Sequence, residues 1–383
     1  MLFRSSQTKE QIQSLIADFS SLCQAIYILG EATPRALDAV ASLGERMSAI
    51  LLSAVMRVYG IPAQSVEATR LVVTDDHFQA AVPLMDRTTQ AVRQTLLPML
   101  ESGQVPVVTG FIGATANGIV TTLGRGGSDY SAAILGVALP ANEVWIFTDV
   151  DGVMTADPRI VPEARTIDIL NFREVAELAY FGAKVLHPKT IHPVIDAGIG
   201  LRVCNTFNAG HPGSRIVAEE MVNGTGRIKA VTAIRGLHLI TLEGRGMLGV
   251  PGVAARTFAA VASTGTSVPL ITQASSEQSI CFAVPSSASS QVIAALKSAF
   301  AQELARGDID SVWATGEVEI ITVVGAGMRH TPGIAGKVFS TLGANHVNVI
   351  AIAQGSSEVS ISLVVDAGDG NQAVKALPKL IIA

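Results

Sequence analysis

The sequence predicts an α/β protein: a parallel-rich sheet sandwiched by helices, followed by two smaller ferredoxin-like modules. Three observations carry that expectation. Short apolar runs alternate with segments of helical period over the first 228 residues. A run of positions then repeats at a constant offset of 81, from Gly252 to Gly333 and from Gln273 to Gln354. Finally, three polar islands bearing glycine interrupt the apolar pattern between residues 121 and 189. Strands alternating with helices build parallel sheets covered on both faces.

In chain order, residues 9–29 and 34–59 carry helical periodicity, and the second segment contains Gly44-Glu45-Arg46-Met47-Ser48. A helix over 86–102 precedes the apolar run Val105-Pro106-Val107-Val108-Thr109, which reads as a buried strand ending at Gly110. A helix is expected from Ser128, strands over Glu143–Phe147 and Ile199–Cys204, and a helix over 171–181. Beyond Lys229 the pattern changes to short strands and two longer helices. The expected domains are therefore 1–228, 229–315 and 316–383.

The repeat sets the order of elements in the second part. Pro251-Gly252-Val253-Ala254 returns as Pro332-Gly333-Ile334-Ala335, and Phe258 returns as Phe339. Ile271-Thr272-Gln273-Ala274-Ser275-Ser276-Glu277 returns as Ile352-Ala353-Gln354-Gly355-Ser356-Ser357-Glu358. Each copy reads strand, helix, strand, strand, helix, the order of a split βαβ module. Within the second copy, Val323-Val324-Gly325-Ala326-Gly327 resembles the opening of a dinucleotide fingerprint. His330 stands at the third glycine position, so no nucleotide site is expected there.

Composition excludes several classes. Of 383 residues 49% are hydrophobic, 35 are Gly and the net charge is −5, which suits a globular chain and not a disordered one. Mean hydropathy is positive, yet no uninterrupted apolar run approaches the ~18–20 residues that span a bilayer, so no membrane partner is expected. The basic residues form no stripe that could follow a nucleic-acid backbone. Cys23, Cys204 and Cys281 match no metal spacing and read as buried reduced thiols. The opening residues lack a signal-peptide core, and a cytoplasmic protein is expected.

The islands carry the chemistry. In Thr-Leu-Gly-Arg-Gly-Gly-Ser-Asp (122–129) the glycines allow close backbone approach, and the helix that follows offers free N–H groups and a positive dipole end. Arg125 adds a fork of donors suited to carboxylate or phosphate. The plain alternative is a tight strand-to-helix turn capped by Ser128 or Asp129. The second island (147–159) follows a strand at its C-terminal end, where open α/β sheets place ligands. There Thr148, Asp149, Asp151, Asp157 and Arg159 suit a nucleotide, or else form a loop of Asx turns. In Phe-Gly-Ala-Lys-Val-Leu-His-Pro (181–188), Lys184 is either a point charge for phosphate or a snorkelling lysine. His187, just before Pro188, reads as a structural hydrogen-bonder.

In this order the islands resemble the amino-acid kinase domain of the aspartate kinases, and Gly44–Ser48 matches that family's glutamate-bearing helix. The repeats resemble the paired ACT domains that follow it, most closely those of the threonine-responsive bifunctional aspartokinase–homoserine dehydrogenases. The resemblance covers almost the whole chain. It implies an amino-acid-kinase-like fold with two ACT domains, and transfer of the γ-phosphate of ATP, as its Mg2+ complex, to the β-carboxylate of aspartate. Glu45, Arg125, Ser128 and Asp129 would surround aspartate and the moving phosphate. Thr148, Asp149, Asp157, Arg159 and Lys184 would line the ATP site, with Arg125, Asp129 and Lys184 in catalytic positions. Gln273 and Gln354 would hold an amino-acid effector, threonine by the closest likeness, and the ACT domains would pair two chains into a homodimer.

Departures from the family pattern bear on activity. Family members open with a strand and a Lys-Phe-Gly-Gly-Thr-Ser loop, which these 383 residues lack. The expectation is an N-terminally incomplete kinase domain with an open sheet edge and one phosphate-stabilising lysine fewer. Met154 stands where the family often places a tyrosine, and no dehydrogenase half is present. Two functions follow: a feedback-regulated aspartate kinase, or a kinase-inactive amino-acid-sensing chain acting within an oligomer.

Overall fold

The computed structural model describes residues 6–218 and 228–382, apart from 140, 182–185, 187, 274–277, 327, 329–330 and 355–358. The chain divides into two units. The first comprises Met1–Gly152, Asp168–Phe172 and Lys184–Met221, and the second Val153–Ile167, Arg173–Ala183 and Val222–Ala383.

The first unit opens with α1 (Ser6–Leu29) and α2 (Pro34–Val58). Thr33 caps α2 by accepting the N–H of Ala36 at 3.2 Å, and Pro34 occupies the first turn, where its missing donor costs nothing. Then come β1 (Ala63–Val66), β2 (Val73–Thr74), α3 (Met85–Glu101), β3 (Val105–Val108), β4 (Ile112–Thr115), β5 (Val120–Thr122), α4 (Gly127–Ala138), β6 (Glu143–Thr148) and β7 (Ile169–Asn171). Helix α5 (Phe172–Tyr180) leaves β7 directly and lies from Arg173 in the second unit. The first unit closes with α6 (Pro188–Asp196), β8 (Gly200–Asn205) and β9 (Ser214–Val217). Val92 and Leu96 of α3 and Ile134 of α4 meet Ile112 and Leu123 in its core, each at most 1% exposed.

The expected parallel-rich sheet is divided among three sheets in the described residues. β1 and β3 pair in parallel, and β2, β4 and β5 form a mixed sheet. The third has the order β6-β8-β9-β7, with β6–β8 and β7–β9 parallel but β8–β9 antiparallel. The antiparallel pair follows from the short connection between β8 and β9, since a parallel neighbour needs a crossover. Gly213, at φ 74°, makes that turn possible, and a Cβ there would lie 2.1 Å from the Val203 carbonyl. Among the described residues β6 ends its sheet, and its Trp145 and Phe147 are exposed.

The second unit is built on one antiparallel six-stranded sheet. Its elements are β10 (Ala230–Glu243), α7 (Val253–Ala262), β11 (Leu270–Gln273), β12 (Ser279–Pro285), α8 (Ser289–Ala299), α9 (Ala301–Arg306), β13 (Ser311–Val324), α10 (Ile334–Ala344), β14 (Ala351–Ala353), β15 (Ser360–Asp366), α11 (Gly370–Ala376) and α12 (Lys379–Ile382). Both repeats run strand, helix, strand, strand, helix, and their long first strands β10 and β13 pair at the centre of the order β11-β12-β10-β13-β15-β14. The repeat reaches single contacts. Thr241 meets Cys281 Sγ at 3.4 Å, and 81 positions on Thr322 meets Ser362 Oγ at 2.9 Å. Phe258 packs edge-on against Phe282 in the first core, while Val338, Leu342 and Leu363 fill the second. Ala156 and Val161, which precede residue 228 in sequence, are buried in that second core.

Two expectations change. Cys23 is exposed and Cys281 half-buried, so of the three thiols only Cys204 is buried. The reason is that Cys23 rides on α1, where only Thr8 and Leu15 are buried. Moreover, α1 and α2 are long and apolar enough, by length and composition, to cross a membrane. Polar residues within both helices, such as Asp18 in α1 and Glu45 in α2, break the apolar runs and hide this from a search for uninterrupted ones. In α2, however, Asp38 is buried and hydrogen-bonded to Thr122, the arrangement of a core helix.

Candidate functional site

The Gly-Arg island forms the predicted turn. After β5, Gly124 (φ 77°) and Gly126 (φ 72°) adopt the left-handed conformation, and α4 begins at Gly127, one residue before the expected start. These glycines are required by close approach. A Cβ on Gly124 would lie 2.7 Å from the Gln79 carbonyl, and one on Gly127 would lie 2.6 Å from Phe111 Cδ2. The turn thus brings the N-terminus of a 12-residue helix, with Ser128 and Asp129 in its first turn, to the edge of a cavity of about 750 Å³. The cavity is lined by Arg125, Ser128 and Asp129, together with Leu37, Asp38, Val40 and Ala41 of α2, and Gln79, Phe111 and Thr122. Arg125 is exposed and forms no ion pair among the described residues, so its donors are available to an anion.

Glu45 does not line this cavity. It lies one turn beyond Ala41, on the same face of α2. Burial pushes its carboxyl above the usual glutamate range. Its neighbour Arg46 pairs instead with Glu67 at 2.7 Å. Sequence reasoning missed Asp38, Gln79 and Phe111. Asp38 reads as one more polar position on an amphipathic helix, and nothing in the residue types of Gln79 and Phe111 announces their positive φ of 69° and 67°.

The second island divides between the units. In the first, Thr148 ends β6 and donates to Asp149 Oδ1 at 3.1 Å. Asp151 accepts from Asn205 Nδ2 at 2.8 Å and from Asn208 Nδ2 at 3.0 Å, which holds its carboxyl below the usual range. It braces the loop after β8. In the second unit, Arg159 donates to both carboxylate oxygens of Asp157, at 3.0 and 2.7 Å, and lowers the Asp157 pKa. The Arg159 side chain is 84% exposed. Lys184 and His187 lie outside the described residues.

In the second unit, Gly252 (φ 88°) caps α7 and Gln273 ends β11. Both line a cavity of about 350 Å³ with Met247, Val250 and Val253. Gly333 repeats the φ of 88° at the start of α10, and Gln354 stands exposed just after β14.

The amino acid kinase family model matches residues 5–205, and the ACT domain model matches 240–300 and 321–380. Fold, site and matches define the class: an amino acid kinase domain followed by paired ACT domains. The bifunctional aspartokinase/homoserine dehydrogenase 2 of Zea mays chloroplasts is 38% identical over 371 residues, covering 96% of this chain and 40% of that protein. The crystal structure of E. coli aspartokinase III in complex with aspartate and ADP superposes with a TM-score of 0.78 at 30% identity, covering 98% of this chain and 82% of that one. The same enzyme in complex with lysine and aspartate gives 0.77 at 32% identity, with 98% and 81% covered. The chain belongs to the aspartokinase family. It spans about 40% of the length of the bifunctional maize relative.

Proposed function

We propose that the chain is an aspartate kinase under amino-acid feedback. The observation that carries this reading is Arg125, held at the N-terminus of α4 on the wall of a cavity of about 750 Å³ with no acidic partner among the described residues. Arg125 grips a substrate carboxylate as a fork, and the first-turn N–H groups of α4, with Ser128, stabilise phosphate oxygens. MgATP enters as substrate, its nucleotide meeting Thr148 and Asp149 at the end of β6. An oxygen of the β-carboxylate attacks the γ-phosphorus, the bond to the β,γ-bridging oxygen breaks, and ADP leaves with that electron pair. Such transfers need alignment and charge neutralisation and no covalent enzyme intermediate. Asp129 and Glu45 orient the amino acid. The two E. coli aspartokinase III complexes, with aspartate and ADP and with lysine and aspartate, support an acidic substrate and an amino-acid effector.

Gln273 and Gln354 are the effector-binding positions, with threonine as the effector. The cavity beside Gln273 at the N-terminus of the 10-residue α7 supports this. Two chains pair through the ACT domains. The test is MgATP-dependent formation of aspartyl phosphate by the 383-residue chain, trapped with hydroxylamine. Arg125→Ala should lower turnover about 10²- to 10³-fold, the loss on removing one preorganised donor. Absence of turnover, with threonine still raising the melting temperature, would replace the kinase with an amino-acid-sensing chain.

A further inference from the structure

Three described non-glycine residues have positive φ, namely Gln79, Phe111 and His346, and two of them line the cavity beside Arg125. Such conformations are unfavourable for residues with a Cβ and persist only where their surroundings over-determine them, which happens most often at ligand sites. The surroundings of Gln79 do so from two sides. From α2, Asp38 is 1% exposed. Its Oδ2 accepts the N–H of Gln79 at 2.9 Å and that of Thr122 at 3.0 Å, while its Oδ1 accepts the Thr122 hydroxyl at 2.8 Å. From the Gly-Arg turn, Gly124 lies so close to the Gln79 carbonyl that any side chain would collide with it. A buried carboxylate is costly unless its oxygens are satisfied. Asp38 draws all three of its donors from two residues on this cavity wall.

A glycine at position 79 would hold the same backbone without strain. The glutamine supplies what glycine cannot, a neutral carboxamide that both donates and accepts. An acidic amino acid presents two carboxylates and an ammonium group. Arg125 answers one carboxylate, and the carboxylates of Asp129 and Glu45 can accept only from the ammonium, so a second carboxylate is left without a donor. We propose that Gln79 reads the α-ammonium and α-carboxylate of the acidic amino-acid substrate, and that Asp38 is the positioning residue that fixes Gln79 for that task. The inference rests on the aspartate kinase reading and names a specificity residue within it.

Gln79→Gly separates the two roles of the position, since it keeps the backbone and removes the carboxamide. Its KM for aspartate should rise about tenfold, the loss of a hydrogen bond to a charged group. The kcat, the KM for MgATP and the melting temperature should stay near the wild-type values. Asp38→Asn should raise the same KM, and the double variant should do no worse than the weaker single one, because both act through one contact. A Gln79→Gly enzyme with an unchanged KM for aspartate overturns the proposal and leaves the kinase standing. If the wild-type chain turns nothing over, calorimetric titration with aspartate decides. Binding about tenfold weaker in Gln79→Gly than in wild type supports the proposal without the kinase, equal binding overturns it, and a wild type that does not bind aspartate overturns both.

Discussion

Glu174, on α5 and without exposed surface, accepts a hydrogen bond from Lys229 Nζ at 2.8 Å and another from the Ala326 N–H at 2.6 Å. One turn on, Glu177 accepts from Ser360 Oγ at 2.6 Å, and the Phe181 carbonyl accepts from Thr232 Oγ1 at 2.7 Å. Positions 174, 177 and 181 share a helix face, so α5 is bound along its length to the strands β10, β13 and β15 and the segments at their ends. Removing one member of a buried pair leaves the other charge uncompensated, at about 3–5 kcal/mol. Glu174→Ala should therefore lower the denaturation midpoint of the second unit far more than Glu177→Ala, which loses one bond at about 1–3 kcal/mol. Equal midpoints for the two variants in guanidinium would deny Glu174 this role.

Glu319 is a different kind of buried acid. It is 6% exposed, and its Oε2 has no donor among the described residues. Burial raises its pKa against the pull of Arg235, whose Nε lies 3.6 Å away. The folded chain thus holds this proton more tightly than the unfolded one. Stability should rise as pH falls through the raised folded value, with the gain complete below the ordinary glutamate value of 4.5. Glu319→Gln should raise the melting temperature at pH 7 by roughly 2–4 °C and lose that advantage in acid. An advantage that persists below the ordinary glutamate range would mean the charge was not its source.

The three cysteines should react with Ellman's reagent in order of exposure. Cys23 is exposed, Cys281 is half-buried beside Thr241, and Cys204 is buried with its thiol pKa pushed up. Since the thiolate is the reactive form, one thiol should react rapidly with Ellman's reagent in the native protein and Cys204 only after unfolding. Cys23→Ser should abolish the rapid phase, and its survival would place another cysteine at the surface.

What could be read from residue order was the part dictated by local chemistry. The glycines at 124, 126 and 127, the Pro-Gly pairs at 251–252 and 332–333, and the repeat of 81 residues each impose a local geometry, and each reappears in the structure. The rest depends on contacts distant in sequence. Asp38 acquires its role from Thr122, 84 residues away, and Glu174 from Ala326, 152 residues away. Val161 lies two residues past the second island, yet its side chain fills the core of the second repeat. Periodicity tells that a side chain is buried, and tertiary packing alone tells against what.

Gly213 tests the β8–β9 connection. Its φ of 74° already disfavours a side chain, and a Cβ would meet the Val203 carbonyl at 2.1 Å and Cys204 Sγ at 3.1 Å. Backbone cannot yield as a flexible side chain does, so Gly213→Ala should destabilise by more than about 1 kcal/mol, whereas an unstrained Gly→Ala change stabilises slightly. Gly210→Ala, in the same connection with open space around it, is the control. Similar melting temperatures for the two variants would mean that the turn rearranges freely.

The cavity beside Gln273 makes the effector reading quantitative. At about 100 times its Kd, a ligand bound only by the folded state adds about 2.7 kcal/mol of stability. Gln273→Ala removes one hydrogen bond to a charged group, about 1.5–3 kcal/mol, and so raises Kd about tenfold or more. At the same threonine concentration the stabilisation should fall by about 1.4 kcal/mol or more, visible as a smaller thermal shift, while the variant without threonine melts as wild type does because Gln273 is exposed on a strand end. Gln354→Ala distinguishes one occupied repeat from two. If it leaves the shift intact, threonine binds at the first repeat alone, and if each substitution halves the shift, both repeats bind. A full shift in the double variant would remove threonine from both glutamines.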